Sequence, residues 1–168
     1  MNLPERLYKW IEPERNPQNT VYGTIAAGLI VAAEDPSAET YPRVVTATVI
    51  AVASYWLAHG YAHWLGQRFG PDGPRDRAGR ALVGALGEEW PLAEGAAIPL
   101  VALLVAWGAG ATLTIAMQAA VWTAAAAVIV FEIVGGLRRR LPAGQLLANA
   151  TIGLALACGL LSVKLLLH

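Results

Sequence analysis

Ser54-Tyr55-Trp56-Leu57-Ala58-His59-Gly60-Tyr61-Ala62-His63-Trp64-Leu65-Gly66-Gln67-Arg68-Phe69 closes a hydrophobic run long enough to cross a membrane. The stretch holds two of the three histidines, two of the six tryptophans and two of the five tyrosines. On a helix, Tyr55, His59, His63 and Gln67 recur every fourth residue and form one polar stripe. Two imidazoles one turn apart can share a metal ion, relay a proton or hydrogen-bond to neighbouring helices. The run starts near Tyr41, where Thr40 can cap it, and Gly70-Pro71-Asp72-Gly73-Pro74 ends it. Such a helix is ~42 Å long, more than the ~30 Å hydrocarbon core requires, so it tilts or protrudes.

Composition points the same way. Hydrophobic residues make up 56% of the 168, charged residues 14%, and mean hydropathy is +0.48. A soluble domain carries roughly 25% charged residues, so this chain lacks the polar surface to face water on all sides. The net charge is zero and the charges are grouped between apolar runs, with no basic surface for nucleic acid. Cys158 stands alone, which excludes an internal disulfide and a CxxC site. Arg outnumbers Lys ten to two amid abundant Ala and Gly. That usage suits a GC-rich bacterial genome, and nothing rests on it; the expected location is a bacterial cytoplasmic (inner) membrane, crossed several times.

The whole chain reads as one all-α membrane domain with five transmembrane helices. Residues 1–15 have apolar Leu3, Leu7, Trp10 and Ile11 at helical spacing, the pattern of an amphipathic segment at the interface. Spans are expected at about 17–35, 41–69, 90–107, 111–137 and 144–167. Val31-Ala32-Ala33 has the look of a signal-peptidase site, but the leader is acidic, which favours a retained helix. Between the second and third spans lies a short charged connector with a partly helical pattern. Gly108-Ala109-Gly110 makes a tight, uncharged turn between the third and fourth.

The Lys/Arg asymmetry sets the expected orientation. Arg6, Lys9 and Arg15 precede the first span, Arg68, Arg75, Arg77 and Arg80 follow the second, and Arg138-Arg139-Arg140 follow the fourth. The other side has Arg43 among Glu34, Asp35 and Glu39, the glycine turn, and Lys164. The N-terminus is therefore expected inside and the C-terminus outside. Gly23/Ala27, Gly28/Ala32, Gly153/Ala157 and Ala155/Gly159 are pairs of small residues that let helices approach closely in lipid.

This orientation brings polar groups of several helices to a similar depth. His59 and His63 fall in the inner part of the second span, Glu94 about one turn into the third, and Glu132 near the inner end of the fourth. Glu88 and Glu89 mark the inner rim, and Tyr22 and Asn149 fall in the inner half. Pro99 cannot donate to the carbonyl of Gly95, which is left free beside Glu94. Carbonyls freed next to a carboxylate recur at ion sites in transporters. His59, His63, Glu94 and Glu132, with Glu88 or Glu89 as further members, are thus the candidate cation site. Imidazole plus carboxylate suits Fe, Mn or Zn, and equally a proton relay. Simpler roles stand beside these. Glu88 and Glu89 suit a helix start through the dipole, the histidines can anchor an aromatic interface, and Glu132 can pair with Arg138.

No nucleophile elbow, HExxH, P-loop or dinucleotide fingerprint is present, so an enzyme is not expected. His59 and His63 have the HxxxH spacing without the acid of a zincin.

Five spans with the N-terminus inside, a long second helix, a short outer hairpin and a Gly- and Ala-rich fifth span resemble the plan of the vacuolar iron transporter family. The resemblance implies a dimer that moves divalent cations against protons. It lies in layout. Tyr22-Gly23-Thr24 stands where that family's first span carries Asp-Gly, and Phe69 to Glu89 is short and arginine-rich where the family has an acidic insertion. No functional residue is carried over.

The expected function is therefore a small cation, metal or proton transporter or channel in the bilayer, working as a homo-oligomer with a dimer favoured. The competing expectation is a non-transporting accessory or assembly subunit, with a protein partner in the membrane.

Overall fold

The computed structural model describes residues 17–69 and 78–167, all within helices or the short turns between them. The expected interfacial helix at 1–15 lies outside the described residues. Among the described residues six helices follow in order: α1 Pro17–Ala33, α2 Tyr41–Phe69, α3 Ala78–Glu88, α4 Trp90–Gly108, α5 Leu113–Arg138 and α6 Ala143–Leu167. Helices α2, α4 and α5 are each long and apolar enough to cross a membrane. The first expected span ends earlier than residue 35, because Asp35 turns the chain: its Oδ1 accepts from the Ser37 amide and hydroxyl at 2.8 Å. The charged connector forms α3, separated from α4 by a single turn at Glu89.

Helix α1 sits at the centre. At one end of the bundle Val31 and Ala32 pack with Val44 of α2, Leu103 of α4, and Ala116, Met117, Ala120 and Val121 of α5. Toward the other end Ala27 packs with Val52, Leu92 and Ala96, flanked by Trp56. Small residues make this possible. A methyl group at Gly23 would collide with the Leu92 carbonyl, and one at Gly95 with the Thr20 carbonyl. The backbones of α1 and α4 therefore touch, as expected of small-residue faces in lipid.

Pro99 lies inside α4 and is fully buried. The Gly95 carbonyl it frees accepts the Thr24 hydroxyl at 2.9 Å, so it binds α1 to α4 and is not available to an ion. The same hydroxyl lies 2.9 Å from the Thr20 carbonyl. In this way the glycine contact and the proline vacancy form one joint.

Helix ends are closed in two related ways. After α4, Gly110 takes φ +79°, while Gly110 and Ala111 donate back to the Trp107 and Ala106 carbonyls. After α5, Arg140 takes φ +52°, and Arg140 and Leu141 donate to Leu137 and Gly136. Both are Schellman closures. The second places a side-chain-bearing residue where glycine is favoured.

Candidate functional site: a histidine between two carboxylates

The end of the bundle formed by the start of α1, the C-terminal half of α2 and the α3–α4 junction holds a connected polar cluster. Glu89 occupies the turn between α3 and α4, where its φ of −89° and ψ of −1° aim the chain from one helix into the next. Its side chain is only 5% exposed. Asn19, buried in the first turn of α1, donates from Nδ2 to Glu89 Oε2. His63 Nδ1 lies 2.7 Å from the other oxygen, Oε1. Both oxygens of a buried carboxylate are thus met by nitrogen groups from two different helices, as burial of such a group demands.

His63 has a second set of partners on its far nitrogen. Nε2 lies 2.8 Å from Gln67 Nε2 and 3.2 Å from Glu88 Oε2. These two neighbours ask for opposite protonation states. The Gln67 amide nitrogen can only donate, so it requires a bare Nε2; the Glu88 carboxylate can only accept when ionised, so it requires Nε2–H. A neutral ring with its proton on Nδ1 satisfies Glu89 and Gln67, while an imidazolium satisfies Glu89 and Glu88. Glu88 is 58% exposed and His63 32% exposed, so the chain Glu88–His63–Glu89 runs from solvent-accessible to buried.

The supporting shell fixes α2 against this junction. Trp56 Nε1 donates to the Leu86 carbonyl at 3.0 Å, and the Trp56 and Trp90 rings meet edge to face at 5.8 Å. Gly60 is buried directly against the Leu86 side chain. The i, i+4 spacing that puts His63 one turn before Gln67 supplies the rest. Arg68, one residue further, lies over the Trp64 ring at 5.3 Å.

The sequence-predicted residues are placed as follows. His63 belongs to the cluster. His59 is half-buried, its ring tilted against that of Tyr55 at 4.9 Å between centroids, without a hydrogen bond to His63. Glu94 is exposed on α4 and Glu132 half-buried on α5, its aliphatic stem 3.0 Å from where a side chain at Gly153 of α6 would begin. No hydrogen bond or ion pair among the described residues joins His59, Glu94 or Glu132 to His63. Tyr22 is exposed, and the side chain of Asn149 lies outside the described residues.

Among the described residues no group of three or more His, Cys, Asp or Glu side chains is arranged to hold a metal. At His63 the carboxylates are divided between the two ring nitrogens. An imidazole binds a metal through one nitrogen, and here the two carboxylates sit on opposite nitrogens. Donors that bridge do not converge.

Comparison with family models, with curated proteins and with solved structures finds no match.

Proposed function

We propose that this chain is a five-span membrane protein, N-terminus inside, that carries protons through the inner-side cluster Glu88–His63–Glu89, either as a channel or as the proton-coupled step of a cation transporter. One observation supports this above the others: a single imidazole stands between an exposed and a buried carboxylate, with a different partner available for each protonation state. Transfer needs no co-reactant. A proton carried on Glu88 Oε2 leaves that oxygen and bonds to Nε2 as the ring gives up the Gln67 donor, and the Nδ1–H bond breaks to leave the ring's former proton on Glu89 Oε1. The ring ends neutral with its tautomer reversed, and Glu89 ends as a carboxylic acid. The bridging donors suit a proton better than Fe, Mn or Zn, each of which needs several donors on one side.

Purified protein in phosphatidylethanolamine/phosphatidylglycerol vesicles, with a trapped pH-sensitive dye and an imposed potential, tests this reading. Proton flux is expected above that of empty vesicles and is abolished by His63→Ala and by Glu89→Gln. Absence of flux in the natural sequence, or flux indifferent to both substitutions, overturns it.

A second reading, the accessory or assembly subunit, is favoured by Glu94. Its carboxylate stands exposed on a face of α4 shared with Trp90, Ala97, Val101, Leu104 and Val105, and an unpartnered charge in lipid is costly. A partner helix with a donor, or a second copy of the chain, would relieve it. Glu94→Leu is then expected to dissociate the native complex in size-exclusion chromatography with light scattering. An unchanged mass removes the support that Glu94 gives.

A further inference from the structure

Resting on the proton-carrying reading, we infer that Asn19 is the specificity-determining residue of the site: its amide keeps the buried Glu89 a place for a proton and closes it to metal and alkali cations. A cation shorn of water needs several oxygen ligands at once, with the carboxylate lone pairs turned toward it. Here both oxygens of Glu89 are already turned toward N–H donors, Asn19 Nδ2 on Oε2 and His63 Nδ1 on Oε1. Each donor puts a positive hydrogen where a cation would have to sit. A proton needs no such vacancy, because it moves along the hydrogen bond that already joins His63 and Glu89.

Burial sharpens the effect. Asn19 is 5% exposed and Glu89 4% exposed, so bulk water cannot readily complete an ion's coordination shell on their side of the cluster. The groups that face Glu89 are Asn19 from α1 and His63 from α2, with Gln67 and Glu88 one step out around the His63 ring. Among the described residues Asn19 is the one neutral amide in direct contact, and Asp has almost its shape. Asn19→Asp replaces the blocking donor with a second carboxylate beside Glu89 Oε2, so that acidic oxygens meet where a positive hydrogen stood.

The test uses the full chain. Purified natural protein is expected to retain no Co²⁺ after gel filtration and, in vesicles, to pass protons without Na⁺. Asn19→Asp is expected to retain Co²⁺ in stoichiometric amount, and to lose it when Glu89→Gln is added. Asn19→Ala keeps a good helix former and removes the donor, so it carries the test if Asn19→Asp does not fold. Its ratio of proton to Na⁺ flux is expected to fall by at least about tenfold, the scale on which one mismatched polar contact discriminates in a buried site. Co²⁺ binding by the natural protein, or either folded variant behaving like it, overturns the role of Asn19 and leaves proton carriage standing. No proton flux in the natural protein overturns the function and this inference together.

Discussion

The two ends of the bundle solve the same problem, holding α1, α2 and α4 together, with different chemistry. At one end Tyr41 stacks on Trp107 with ring centroids 4.9 Å apart, and its hydroxyl donates to the Ala111 carbonyl. Val31, Val44, Leu103 and Met117 fill the space behind them, all fully buried. Arg43 there is paired at 3.1 Å to Glu39, just before α2, with the arginine side of the contact exposed. At the other end the join is Asn19, Glu89, His63 and Gln67, a chain of polar groups in which one nitrogen is contested by a donor and an acceptor. Aromatic stacking and aliphatic packing have one arrangement. The histidine cluster has two, separated by a single proton. Gain or loss of one proton therefore changes the contacts at the polar end and leaves the Tyr41–Trp107 stack as it is.

The largest effect is expected where the two ends are coupled, at the α1–α4 joint. Gly95→Ala places a methyl group into the Thr20 backbone, which cannot turn aside as a side chain would. A loss of about 3 kcal/mol is expected, at the severe end for overpacking, read by thermal or SDS unfolding in detergent micelles. Next is Glu89→Leu, which leaves the Asn19 amide and His63 Nδ1 buried without an acceptor and should cost about 2–3 kcal/mol. Glu89→Gln keeps the size and an acceptor, so by the same measurement it should cost less while still abolishing proton flux. Tyr41→Phe breaks one bond at the opposite end. It should cost about 1 kcal/mol and leave flux intact, which would separate the roles of the two ends. The smallest effect lies beyond both: Arg140→Gly should raise stability by up to about 1 kcal/mol, by relieving a left-handed residue at the close of α5.

Much of the helical layout was legible in the sequence. Hydrophobic run length, proline and glycine placed the ends of α1, α2, α4, α5 and α6 within two residues of where they lie. The Pro99 vacancy at Gly95 was legible too, because it follows from the chemistry of proline alone. Its partner, Thr24, was not, since nothing local says which helix crosses there. The site was half legible. His63 and Gln67 follow from helical spacing, but Glu89 reads as an ordinary helix start until the tight turn before Trp90-Pro91 directs it inward. Asn19 reads as a polar residue in a first turn, and only the crossing of α1 past the α3–α4 junction gives it a carboxylate to meet. Glu94 and Glu132 drew attention through their depth. Depth does not specify the face of the helix: Glu94 is exposed on α4, and Glu132 lies beside Gly153 of α6.

Proton flux measured side by side in vesicles for the natural chain, Glu89→Gln and Tyr41→Phe, at matched protein content, tests the central claim most directly. Flux is expected at the level of empty vesicles for Glu89→Gln and within about twofold of the natural chain for Tyr41→Phe, since a distal hydrogen bond of ~1 kcal/mol leaves a folded site unchanged. Equal flux in Glu89→Gln and the natural chain would contradict it.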